Sequence, residues 1–135
     1  MSGGKCLAEL RVIVDTSFLM IPGMFGVDVI GELDRLLEQN YCLTVPKPVV
    51  EELKKLAAQG NPVERFAARL GIALAKRGKV VEVKGHADEV ILRIACENCV
   101  VGTTDAELRK RLRRMGFPVV YLRQKSHLAL DGRVG

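Results

Sequence analysis

The sequence predicts an α/β fold with an open parallel sheet, and three observations carry that expectation. Short apolar runs at 11–15, 41–45, 80–84, 100–103 and 119–122 are separated by segments with helical periodicity. Strands alternating with helices pair in parallel, with the connecting helices on both faces of the sheet. The chain of 135 residues, 48% hydrophobic and 27% charged, matches one ordinary globular domain.

The elements follow in order. Arg11 to Asp15 reads as a buried strand ending in an acid. Residues 24–39 read as a helix, with Ile30, Leu33, Leu36 and Leu37 on one side and Asn40 at its end. Tyr41 to Val45 is a second strand, closed by Pro46. The next helix, 47–58, has Pro48 in its first turn, with Glu51 and Glu52 near its positive end. Gly60-Asn61-Pro62 breaks the chain, and Asn61 caps a helix reaching about Lys76. Val80 to Lys84 is a third strand, and residues 86–98 a helix with Val90, Ile91, Ile94 and Ala95 inward. Val100 to Thr103, a helix over 105–115 stopped by Gly116, and Val119 to Leu122 complete the pattern. The core is expected over about 10–123, with 1–9 and 124–135 as flexible tails.

Charge excludes some functions and suggests others. Residues 109–135 hold eight bases and one acid, a net of +7, while 1–108 carry 13 bases and 15 acids, a net of −2. A basic block on a mildly acidic body suits a polyanion such as RNA, although a solvated helix face gives the same pattern. The chain has no Trp, two Tyr and four Phe, too few aromatics for a base-stacking sheet. The longest charge-free run, 16–27, is 12 residues and holds Pro22, too short for a membrane span. The start, running through Lys5 to Glu9 and Arg11, offers no apolar signal core, so a cytoplasmic location and no membrane partner are expected.

Sites in open parallel sheets form beyond the C-terminal strand ends. Asp15, Glu52, Asp88 and Asp105 all fall there, from four separate segments. Each alone has a plainer explanation as a helix cap or first-turn acid. Asp15 resists it most, because Thr16 and Ser17 offer caps of their own. Clustered carboxylates repel, and such clusters persist mainly where a divalent cation sits, with oxygen ligands suiting Mg²⁺ or Mn²⁺. Such an ion can polarise a phosphodiester and activate water. Asp15 and Asp105 are the expected direct metal ligands and Asp88 a ligand directly or through water, with Glu52 orienting or deprotonating the attacking water. Arg109, Lys110, Arg113 and Arg114 are the expected RNA-backbone contacts, of which two or three reach phosphate.

Four stretches together carry a family resemblance: Val12-Ile13-Val14-Asp15-Thr16-Ser17, Pro46-Lys47-Pro48-Val49-Val50-Glu51-Glu52-Leu53, Ala87-Asp88-Glu89-Val90-Ile91, and Val101-Gly102-Thr103-Thr104-Asp105-Ala106-Glu107-Leu108. They resemble the motifs of PIN-domain nucleases, in order and at fitting spacings over about 10–123. The stretch from Asp105 to Tyr121 is most similar to PIN nucleases that process small-subunit ribosomal RNA precursors. The resemblance implies a three-layer α/β/α fold with a five-stranded parallel sheet. It also implies metal-dependent RNA hydrolysis leaving 5′-phosphate and 3′-hydroxyl ends. It maps the four acids to Asp15, Glu52, Asp88 and Asp105, with Glu51 the register alternative to Glu52, and hydroxyls that steady them to Ser17 and Thr103. Precursor ribosomal RNA, ribosome-assembly factors and a second copy of the chain are the expected partners.

Other residues have weaker signals. Cys96-Glu97-Asn98-Cys99 lacks a matching second pair, so free buried thiols are expected, with a Cys6–Cys42 or Cys42–Cys99 bridge as the alternative. His86 is expected at a helix start, and the apolar Phe18 to Phe25 stretch under the sheet edge or in a dimer contact. Competing functions are a toxin-type PIN ribonuclease, a non-catalytic RNA-binding PIN scaffold, and a response-regulator-like module. The last would need adjacent acids at the first loop, which Asp15 lacks.

Overall fold

The computed structural model describes residues 10–134. Six strands form one sheet: β1 (Leu10–Val14), β2 (Tyr41–Pro46), β3 (Lys79–Val81), β4 (Cys99–Gly102), β5 (Val119–Arg123) and β6 (His127–Asp131). Their order is β3-β2-β1-β4-β5-β6, with every neighbouring pair parallel except β5 and β6. The helices are α1 (Thr16–Leu19), α2 (Ile21–Phe25), α3 (Val29–Leu37), α4 (Lys47–Gln59), α5 (Pro62–Ala75), α6 (Ala87–Ile94) and α7 (Ala106–Arg114).

Side-chain alternation splits the core into two layers. Val12, Val14 and Val100 face one cluster with Phe18, Leu33, Leu53 and Ala67, from α1, α3, α4 and α5. Ile13 and Val101 face the other, with Ile91 of α6 and Leu108 and Leu112 of α7. The three-layer expectation is therefore met, and no described helix is long and apolar enough to cross a membrane.

The strand count is six rather than five, and the sheet is mixed. Residues 124–134 are not a tail. Gln124 and Lys125 both take positive φ, as primed hairpin turns require, and β6 returns antiparallel along β5. Asp131 of β6 then receives Arg109 Nε at 2.9 Å and Arg113 Nε at 3.1 Å, tying α7 to the strand. Residues 1–9 lie outside the described residues. The helix expected over 24–39 is two helices: Gly26 ends α2 in the left-handed region at φ 68°, and Asp28 caps α3 through Gly31 N–H. The Phe18 to Phe25 stretch packs as α1 and α2. Phe18, Leu19 and Ile21 are fully buried, while Met24 and Phe25 point outward. The helix expected over 86–98 stops at Ile94, where Ala95 turns extended.

Candidate active site

β1 is central, and its neighbours β2 and β4 lead away in opposite directions, so a crevice opens at the C-terminal ends of β1 and β4. Asp15 follows β1 there, with its N–H bonded to the Gly102 carbonyl of β4 at 3.1 Å. Gly102 is required by close approach: a Cβ would stand 2.9 Å from the Phe18 ring. Without that side chain, α1 settles over the end of β4.

Asp15 is only 5% exposed. Its Oδ1 accepts from Ser17 Oγ at 2.7 Å and from Phe18 N–H at 2.8 Å, and its Oδ2 accepts from the Thr103 hydroxyl. Asp15 is thus the N-cap of α1 as well as a member of the acid group; Thr16 and Ser17 do not replace it. Thr16 instead donates to Oε1 of Glu52 on α4, so of the adjacent acids Glu51 and Glu52 it is Glu52 that Thr16 reaches. Thr103 is fully buried, and its oxygen accepts from Asp105 N–H at 3.0 Å. Asp105 caps α7, its Oδ1 accepting from Glu107 and Leu108 N–H. Ser17 Oγ accepts from Thr104 N–H at 3.1 Å, closing the network. Asp88 stands exposed in the first turn of α6.

The charges of these groups act on one another. Burial drives the Asp15 carboxyl from 3.8 up to about 6, against the lowering effect of its hydrogen bonds from Thr103, Ser17 and Phe18, and Asp88 adds to the rise. Asp88 is itself raised, by desolvation and then by Asp105 and Glu52, with Arg111 opposing. All four sequence-predicted acids therefore share one field. As donors they fit a hard divalent cation in charge and oxygen chemistry. They do not form a closed cage as they stand: among the described residues no three Asp, Glu, His or Cys side chains are grouped to hold a metal ion.

The basic helix divides by face. Arg109 and Arg113 are held by Asp131, and Arg109 lies 3.5 Å over the Tyr121 ring, so both are occupied in fastening β5 and β6. Lys110 is exposed with a loose 3.8 Å pair to Glu107, and Arg114 is exposed. Sequence reasoning missed Arg111, the base of α7 that acts on Asp88, and Thr16, which orients Glu52. Arg111 lies about 200° round the helix from Arg109, but which face meets the acids is set by the Asp131 contacts rather than by spacing. His86 precedes α6 and makes no side-chain capping bond. Cys96 and Cys99 are free, which excludes a Cys42–Cys99 bridge. Cys42 is disulfide-bonded, correcting the free-thiol expectation for it, and Cys6 lies outside the described residues.

Comparison with known proteins places the chain among ribonucleases of similar sequence and fold. Ribonuclease VapC4 of Methanocaldococcus jannaschii is 31% identical over 129 residues, covering 92% of this chain and 98% of that protein. Ribonuclease VapC9 of Archaeoglobus fulgidus is 29% identical over 120 residues, covering 88% and 87%. The structure of the PIN domain endonuclease Utp24 superposes with a TM-score of 0.71 at 23% identity over 92% of each chain, a likeness of fold. The PIN-like domain family matches residues 12–125, most of the chain, and this protein belongs to it.

Proposed function

We propose that this chain is a divalent-metal-dependent endoribonuclease. The observation that supports it best is Asp15: a carboxylate buried at a strand end, raised to about 6, in the field of Asp88 and through it of Asp105 and Glu52. An isolated helix cap has no need of that arrangement. Two relatives that are ribonucleases, matched over nearly their whole length, support the same reading.

Asp15, Asp88 and Asp105 are the residues that would hold Mg²⁺ or Mn²⁺. When bound, the ion supplies charge to polarise the scissile phosphate and to acidify an attacking water. The protein's own groups do the rest. Thr103 and Ser17 fix the Asp15 carboxylate, and Thr16 fixes Oε1 of Glu52, leaving Oε2 to orient or accept a proton from the water. Lys110, Arg111 and Arg114 give the RNA backbone a positive approach.

For the RNA, the resemblance of the Asp105 to Tyr121 stretch favours a small-subunit ribosomal precursor. A second reading, a toxin-type ribonuclease acting on mature tRNA or rRNA, is favoured by the stronger sequence likeness to the two VapC ribonucleases, since the Utp24 likeness concerns fold alone. The test is Mg²⁺- and Mn²⁺-dependent cleavage of labelled precursor fragment and of mature tRNA, beside Asp15→Asn and Asp105→Asn. Metal-dependent cuts with 5′-phosphate ends that vanish in both variants support the nuclease, and the RNA that is cut separates the two readings. Cutting unchanged by both substitutions would overturn the acid assignment, and RNA binding without cutting would overturn the nuclease in favour of a scaffold.

A further inference from the structure

The connection between α6 and β4 carries two thiols that the nuclease chemistry leaves unused. Cys96 lies just beyond α6, and Cys99 opens β4. The Cys99 N–H donates to the Cys96 carbonyl at 3.1 Å, an i to i+3 turn. Such turns hold their end Cα atoms within about 7 Å, the separation a disulfide spans. The Cys96 side chain is among the groups that act on the Cys99 thiol. Both thiols are free. No third thiol, imidazole or carboxylate completes a metal-ligand set with them among the described residues.

The two differ in access. Cys96 is half-buried and Cys99 is 2% exposed. Both line a cavity of about 660 Å³ at the N-terminal ends of the strands, with Glu97, Phe117 and Arg133 also on its wall. Burial raises the Cys99 thiol and keeps it protonated. Cys96 is the reachable thiol of the pair, and so the one that meets an incoming disulfide first.

We propose that Cys96 and Cys99 form a reversible redox dithiol, which small disulfides oxidise to an intramolecular disulfide at the sheet edge opposite the acid cluster. The Cys96 thiolate attacks one sulfur of a disulfide RSSR, whose S–S bond breaks and releases RS⁻. Cys99 loses its proton to water and attacks the Cys96 sulfur, expelling the second RS⁻. The protein dithiol is oxidised by two electrons, RSSR is reduced by two, and the released protons balance the two thiolates. The inference stands apart from the nuclease reading, because its readout is chemical.

The test equilibrates the full chain with mixtures of oxidised and reduced glutathione, then quenches, alkylates and digests with trypsin. Both cysteines fall on one tryptic peptide, 94–109, apart from Cys6 and Cys42. That peptide is expected to lose the mass of two hydrogens as the ratio of oxidised to reduced glutathione rises, and to regain it with dithiothreitol. Cys99→Ser should accumulate a glutathione adduct on Cys96, and Cys96→Ser should stay reduced over the same time. Both thiols alkylated at every ratio, an adduct persisting in the wild type, or Cys96→Ser reacting as fast as wild type would each overturn the proposal. The wild-type peptide decides even where a variant fails to fold.

Discussion

The Thr103 hydroxyl donates to Asp15 across the boundary between β4 and β1, joining residues 88 apart in sequence, while the same oxygen accepts from Asp105 N–H. One buried hydroxyl therefore sets two acids of the cluster. Thr103→Val keeps the shape and removes both bonds. It is expected to destabilise the fold by about 1–3 kcal/mol, because Asp15 and the Asp105 amide lose a buried partner. It should also raise the Asp15 carboxyl above its present value, since Thr103 is the largest influence lowering it. The acidic limb of the cleavage profile should then move to higher pH, whereas a purely structural loss would lower the rate evenly. Denaturant melts and a pH–rate profile check the two parts separately.

Asp15 should oppose stability at neutral pH. Its folded value of about 6 lies above the ordinary 3.8, so between these values the folded chain binds more protons than the unfolded one. Stability is therefore fullest below the unfolded value and falls as pH rises through about 6. Asp15→Asn removes the buried charge and can still accept from Ser17 and Phe18. It is expected to gain about 1–3 kcal/mol at pH 7, with the gain vanishing near pH 4, and to lose cleavage. Thermal melts of both proteins across that range test this, and an Asn variant less stable at pH 7 would reject the desolvation account.

A divalent cation should reverse this penalty. Bound among Asp15, Asp88 and Asp105, it favours their ionised forms and stabilises only the folded state. Mg²⁺ or Mn²⁺ at about 100 times its dissociation constant should add about 2.7 kcal/mol, and a chelator should remove it. Asp88→Asn and Asp105→Asn should each weaken the response. Because no three acids are grouped to hold an ion as they stand, some side-chain rearrangement is expected on binding. Equal stabilisation of wild type and both variants would place the ion elsewhere.

Much of the sheet was legible because buried parallel strands leave contiguous apolar runs, such as Val12 to Val14 and Val100 to Val101, both fully buried. The candidate acids were legible because they follow those runs. The four-residue helix α1 is too short to show a period, so the sequence marks no helix between β1 and residue 24. β6 was hidden for a different reason. Only Leu128 of its five residues is buried, and its turn uses positive φ at Gln124 and Lys125, where no glycine marks it. What holds it is tertiary, the Asp131 carboxylate between Arg109 and Arg113. The same contact decides which face of α7 is left for a ligand, information that spacing on one helix does not contain.

That division of α7 separates two sets of arginine phenotypes. Arg109→Ala and Arg113→Ala remove partners of Asp131, and Arg109→Ala also removes the cation resting on Tyr121. They are expected to loosen β6 and lower stability by about 1–2 kcal/mol each, partly exposed as these pairs are. RNA affinity, measured on protein that remains folded, should change little. Lys110→Ala, Arg111→Ala and Arg114→Ala should leave the melting temperature nearly unchanged and weaken RNA binding. Each that contacts phosphate should reduce the salt slope of log K by roughly one. Arg111→Ala should further raise Asp88, because it removes a charge acting to lower that carboxyl, and so shift the pH profile where Lys110→Ala does not. Filter binding at several salt concentrations, paired with thermal melts, distinguishes the sets. Loss of affinity with an unchanged melt in Arg109→Ala and Arg113→Ala would return those two residues to the RNA face.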